Sequence, residues 1–389
     1  MSVDFPESDR ALGAPHPRDT PRLIGHTQAE RVFLDAYNAN KLHHAWLISG
    51  PRGIGKATLA WRMARFLLAT PAIDGGMFDT PTPDTLDVSP DNPIARRIAA
   101  GSESRAALIR PLYDAKKDKL AAIIDVEQIR ELKASFSLKA TDGGRRTIVV
   151  DSMDNMNPSA ANAFLKLLEE PPAEVTFFLI SHRPSVLLPT IRSRCRELRL
   201  GPLAPSDLSD ALTAAGGEVD PADRVALAEL AGGSVGAAFE LTNLNGLALY
   251  QLIVDLLSGL PHMNRTRLQT LCEAGAGKGK EAQFDMIVTL IDQFLARTAR
   301  AGSRGGLAPD AAKGEGDLIA RLAVTPQAAL AWANLAQILG VRARRGRAVL
   351  APALRLARAA RGPGGGRRGR RRRRLRRGRI QTPPQAPRR

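Results

Sequence analysis

The sequence predicts an α/β fold, a parallel sheet with helices on both faces, followed by helices alone. Three observations carry this. Apolar runs at residues 44–49, 145–151 and 175–181 are bounded by turn residues and separated by stretches with helical spacing, the alternation that builds a doubly wound sheet. A glycine-rich loop stands directly between the first run and a helix-like stretch. After Pro202 no further strand-like run follows.

Taken in order, residues 28–37 read as a helix and HAWLIS at 44–49 as a short buried strand ended by Gly50. A helix over 57–68 places Leu59, Met63, Phe66 and Leu67 on one face, with Arg62 and Arg65 expected to point outward. Residues 70–122 begin rich in Pro, Gly, Asp and Ser and are weakly patterned later, so they read as an insertion carrying short helices. RRTIVVD at 145–151 is a β-branched strand. A helix over 159–170 is stopped by Pro171 and Pro172, VTFFLIS at 175–181 is a strand, and a last strand lies around 196–200. Beyond it the expected division is a helical unit over 203–245, with a glycine break at Gly232 and Gly233, a second over 246–340, and a tail over 341–389.

Composition excludes several classes. The 389-residue chain has a formal net charge of +17, but 19 of its 56 basic side chains are arginines from Val341 onward, where no acidic residue occurs. The remaining 37 face all 39 acidic side chains, so the folded body is expected to be near neutral and the basic balance to belong to the tail. That tail cannot bury enough apolar surface to offset the entropy of ordering. It reads either as a DNA-attracting arm, through counterion release, or as a lineage-specific or frame-shifted end with no selected role. Cys195 and Cys272 are the only cysteines, too few for a disulfide framework or a four-thiolate zinc site. No apolar run approaches the roughly 20 residues of a membrane span, and Asp4, Glu7 and Asp9 stand where an export signal would be basic. A cytoplasmic chain with no membrane partner is expected.

Gly50-Pro-Arg-Gly-Ile-Gly55-Lys56 fits the phosphate-binding pattern G-x-x-x-x-G-K in the strand–loop–helix context that pattern needs. Gly50, Gly53 and Gly55 let backbone amides turn toward a phosphate, and Lys56 adds charge at its terminal groups. The next position, normally a Ser or Thr that holds magnesium, is Ala57; Thr58 lies about 100° further round the helix and is no full replacement. The strand ending at Asp151 matches the acidic element that holds the metal, yet Ser152 follows where a glutamate would polarise water.

Taken together, HAWLISGPRGIGKATLAWRMARFLL, IVVDSMDNMNPSAANAFLKLLEEPP and LLPTIRSRC resemble the delta prime family of bacterial DNA polymerase III clamp-loader subunits, over roughly residues 23–241. NAFLKLLEEPP with the SRC after it is the most specific block. The resemblance implies an AAA+ P-loop domain over 1–202 with an insertion at about 70–122, a small helical lid domain over 203–245 and an all-α collar domain over 246–340. It also implies a hetero-pentameric ring with delta and three gamma or tau subunits, which opens the sliding clamp and places it on primed DNA within the DNA-directed DNA polymerase III holoenzyme, a nucleotidyltransferase. In that family the arginine of Ser193-Arg194-Cys195 projects into the ATP site of a neighbouring motor subunit, so Arg194 is the expected residue acting in trans; the plainer alternative is that it pairs with a surface carboxylate near the last strand. Gly236 stands where motor subunits carry a sensor arginine, and the cysteine-rich zinc module usual in the insertion is absent, so no metal is expected. With Ala57, Ser152 and Gly236, three parts of an ATPase are missing. The expectation is a subunit without cis catalysis, in which Gly50, Gly53, Gly55, Lys56, Thr58 and Asp151 form a degenerate nucleotide site that holds ATP without hydrolysis or stands empty. The alternative is a catalytically active AAA+ ATPase, of the gamma or tau motor kind or another remodeller, favoured by Lys56 and the glycines. A third reading is a DNA-binding adaptor acting through the arginine tail.

Overall fold

Helix α1 (Thr27–Asn38) places Phe33, Leu34 and Tyr37 at helical spacing and buries all three. It leads into strand β1 (Ala45–Ser49) and helix α2 (Lys56–Ala69). There follow α3 (Pro93–Ala99), β2 (Ala106–Ile109), the two-residue strands β3 (Tyr113–Asp114) and β4 (Lys119–Leu120), α4 (Val126–Leu138) and β5 (Arg146–Asp151). The α/β part closes with α5 (Pro158–Glu169), β6 (Val175–Ser181), α6 (Pro189–Arg192) and β7 (Arg196–Arg199). This is a computed structural model; it describes residues 7–20, 22–70, 82–114, 119–138, 144–277, 279–304, 306 and 308–345.

Five strands form a parallel sheet in the order β2-β5-β6-β1-β7. Every residue of β1 and β6 is buried, which is why both read as unbroken apolar runs. Alternate side chains feed two cores: Trp46, Ile48 and Phe178 pack with α1 and α2, whereas Leu47, Phe177 and Leu179 pack with α4 and α5. The parallel sheet covered on both faces is the predicted fold class.

Two expectations need correction. The stretch read as an insertion contributes β2, an edge strand of the main sheet paired in parallel with β5, as well as α3. Four residues with only Ile109 buried carry too weak a pattern to reveal a strand; the notional positions 71–81 lie outside the described residues. Arg62 and Arg65 do not point to solvent but are buried. Arg62 pairs with Glu30 at 2.6 Å and Asp87 at 3.1 Å, and Arg65 donates to the Arg18 carbonyl at 2.6 Å. Segments distant in sequence cover that face of α2 and supply partners that helix periodicity cannot announce.

The helical part comprises α7 (Pro205–Ala214), α8 (Arg224–Ala231), α9 (Val235–Asn243), α10 (Gly246–Ser258), α11 (Arg265–Gly275), α12 (Glu281–Arg304), α13 (Glu315–Leu322) and α14 (Pro326–Arg345). Gly232 ends α8 in the left-handed region at φ 56°, as a helix stop favours. One apolar cluster runs continuously from Leu203 and Leu208 through Tyr250 and Phe294 to Ile319, across the division placed at 245–246. Helix α14 extends to Arg345, past the boundary placed at 340. Arginine is a good helix former, so basic composition alone does not stop a helix. The rest of the arginine tail, 346–389, lies outside the described residues.

Candidate functional site

Between β1 and α2 the loop 50–55 turns through left-handed glycines, Gly53 at φ 71° and Gly55 at φ 100°, conformations that residues with a Cβ avoid. A Cβ on Gly53 would overlap the Ser234 hydroxyl of the lid. Lys56 follows at the start of α2, only 3% exposed. Its Nζ donates to the carbonyls of Gly50, at 2.8 Å, and Pro51, so the lysine is folded back onto the loop that should present it to phosphate. Burial lowers its pKa to about 8, against the pull of Asp151 and Asp154.

Asp151 ends β5 across the cleft. Burial, with Asp9 as a neighbouring negative charge, raises its pKa to about 7, although Lys56 and Arg52 oppose the shift. Ser152 is buried and donates to Asn155 Oδ1 at 3.2 Å within its own turn, so no base stands at the position that would ready water. Among the described residues no group of three His, Cys, Asp or Glu side chains could hold a metal ion. Ala57 supplies no hydroxyl at the position after Lys56 that would hold magnesium, whereas Asp151 lines the cleft.

Sequence reasoning missed several residues here. Asp154 accepts from Ser181 Oγ at 2.9 Å, the His182 amide at 2.5 Å and the Arg183 amide at 3.2 Å. It thereby ties the turn after β5 to the end of β6. His182 lines the cleft, and burial together with Lys56 and Arg52 lowers its pKa to about 4, so the ring is neutral near pH 7. Glu240, on α9, also faces the cleft; burial raises its pKa against the pull of Arg52. An acidic residue three positions after Asp151 was a legible signal for Asp154; nothing local pointed to His182 or Glu240.

The start of α9 and the residue before it contact the backbone of the loop. Ser234 Oγ donates to the Arg52 carbonyl at 3.0 Å, and the Gly236 amide donates to the Gly53 carbonyl at 2.9 Å. A Cβ on Gly236 would lie 3.0 Å from Gly53 Cα, so the position expected to lack a sensor charge also has little room for a side chain. The cavity that remains is about 520 Å³, lined by residues 52–58, Asp151, residues 234–237 and part of the chain before residue 25; Gly50 is not among its lining residues.

Arg194 is not among the residues lining that cavity. It sits between α6 and β7, 36% exposed along its side chain, where Nη2 meets Glu169 at 3.0 Å and Nη1 donates to the Thr190 carbonyl at 2.9 Å. Two bonds orient a guanidinium that carries five N–H groups. The adjacent Cys195 thiol is pushed up to about 12 by burial, so the thiol is no nucleophile near neutrality.

The charge state of Asp151 yields a stability prediction. The folded chain keeps this proton up to about pH 7 while an unfolded chain releases it near 3.8, so folding stability falls as pH rises through that window. Asp151→Asn is expected to be more stable than the parent to urea, by an amount that grows from about pH 4 to about pH 7 and reaches on the order of 1–3 kcal/mol. A difference independent of pH would contradict the assignment.

Residues 25–204 match the family model described as DNA polymerase III, delta subunit. The chain is 32% identical to DNA polymerase III subunit delta prime of Pseudomonas aeruginosa over 226 residues, 58% of this chain and 62% of that protein. It is 32% identical to the Escherichia coli subunit delta prime over 209 residues, 53% of this chain and 56% of the relative. The match to DNA polymerase III subunit gamma of Buchnera aphidicola is 27% over 192 residues, 49% of this chain and 47% of that one. The chain therefore spans about half to three-fifths of the length of these relatives. Among solved structures, a gamma subunit-related protein of Thermotoga maritima superposes with a TM-score of 0.34 at 18% identity, covering 82% of this chain and 99% of that one.

Proposed function

We propose that this chain, whose residues 25–204 match the family model described as DNA polymerase III, delta subunit, is a delta prime-type clamp-loader subunit. It performs no ATP hydrolysis of its own and lends Arg194 to the ATP site of an adjacent gamma or tau motor subunit. Its partners are then delta and the gamma or tau subunits in a hetero-pentamer, with the sliding clamp and primed DNA engaged through the complex. The pairing of a disarmed cleft with an oriented arginine outside it supports this reading. Ala57 and Ser152 stand where a metal ligand and a water-activating base would be, and the Gly236 amide bonds the Gly53 carbonyl. A permanently charged, planar guanidinium held by Glu169 and Thr190 suits phosphate oxygens. Gly50, Gly53, Gly55, Lys56, Thr58 and Asp151 form a relic site in which any bound ATP stays intact.

The test is ATPase measurement on the purified chain and on the chain mixed with delta and gamma subunits. The isolated chain is expected to show no turnover above buffer, and its addition to the partners to raise DNA-stimulated turnover. Motor-like hydrolysis by the isolated chain would favour the active-ATPase alternative instead.

A further inference from the structure

Residues 7–20 precede the family-matched segment, and Ser8, Asp9, Arg10, Ala11 and Ala14 among them line the cleft. They are anchored at three places. At the end of the sheet, Arg110 beyond β2 donates to Glu7 Oε1 at 2.8 Å and to Asp9, while His16 Nε2 meets Asp9 Oδ2 at 3.0 Å. The Asp9 side chain is 1% exposed, so this charge is sustained only by its partners. Burial alone would raise its pKa, but the His16 hydrogen bond and Arg110 outweigh that and hold it below the usual value. Against α2, Arg65 grips the Arg18 carbonyl at 2.6 Å and the His16 ring stands edge-on to Trp61. At the lid, Ala14 is buried in the cluster containing Leu203, Leu208 and Phe239, with Ala11 packed beside it. Gly13, at φ 77°, passes so near Asn243 that a Cβ would overlap its amide.

We infer that residues 7–20 are an intramolecular strap that holds the lid against the α/β domain. One chain segment bonds the sheet and α2 through charges and the lid through apolar contact. The lid's orientation is therefore fixed by the protein itself, and a ligand can move it only by outweighing those contacts. The inference does not depend on the role of Arg194.

Hydrogen exchange on the full chain tests it, read at the Gly236 amide, which bonds Gly53 across the lid contact. Asp9→Ala releases the sheet anchor, and Ala14→Asp forces a charge into the lid cluster without touching that anchor. Each variant is expected to accelerate exchange at Gly236 and across residues 11–14 by ~10-fold or more, with amides of β5 and β6 unchanged. Unchanged protection at Gly236 in both variants overturns the strap, as does equal acceleration through β5 and β6, which would make the segment a general stabiliser. Should Asp9→Ala fail to fold, Ala14→Asp alone decides between these outcomes.

Discussion

With Arg194 acting in trans as proposed, Arg194→Ala is expected to cost the neighbouring ATP site on the order of 10³-fold in hydrolysis rate, seen as loss of that site's share of DNA-stimulated turnover in the reconstituted complex. Assembly should survive, because the side chain is exposed and its contacts with Glu169 and Thr190 are local; exposed pairs of this kind contribute about 0–1 kcal/mol. Arg194→Lys should not restore activity, since an ammonium lacks the planar fork that meets two phosphate oxygens at once. Lys56→Ala alters only the chain's own cleft and should leave complex turnover unchanged. Wild-type turnover in Arg194→Ala would remove the trans role while leaving the description of the cleft intact.

Glu315→Ala should destabilise the helical part by about 3–5 kcal/mol, read from urea unfolding of the full chain. Glu315 is wholly buried and accepts from Arg297 Nε at 2.7 Å, Tyr250 OH at 2.6 Å and the Ala311 amide at 2.7 Å. Arg297 reaches on to Glu229 of α8 at 2.8 Å and the Pro309 carbonyl at 2.6 Å. Four helices thus meet at one ion pair: α8, α10, α12 and the start of α13. Removing the carboxylate leaves the Arg297 charge and the Tyr250 hydroxyl buried without it, and the loss of a partner inside a low-dielectric core costs more than the pair contributes. Tyr250→Phe deletes one donor and leaves the ion pair, so it should cost only about 1–2 kcal/mol. Equal effects from the two substitutions would mean that the pair is not the joint.

The difference between these predictions mirrors how each site could be read. Arg194 lies in a contiguous motif, Ser193-Arg194-Cys195, which is legible without any tertiary contact. Tyr250, Arg297 and Glu315 are spread over 66 positions, and no local pattern unites them. The same contrast runs through the cleft. Gly50, Gly53, Gly55, Lys56 and Asp151 were legible because loop and strand end are local devices with fixed spacing. That Lys56 turns onto the Gly50 and Pro51 carbonyls, that His182 and Glu240 join it, and that Asp154 staples two strand ends were not. Such contacts depend on how strands lie side by side.

What the sequence by itself determined is the set of local elements and the missing chemistry. Unbroken apolar runs specify strands buried on both faces, glycines specify the loop, and Ala57 and Ser152 mark positions without a metal-binding hydroxyl or an acidic base, because side-chain identity and short-range backbone preference suffice for each; the reading of Gly236 needed the family resemblance. Only the tertiary structure decided that residues 106–109 join the main sheet, that Arg62 and Arg65 are buried among partners, and that residues 7–20 reach the lid. The physical reason is that burial and pairing are properties of surfaces brought together by the fold. A buried charge is tolerable only where distant segments deliver its partner, and that distance is what a linear pattern cannot encode.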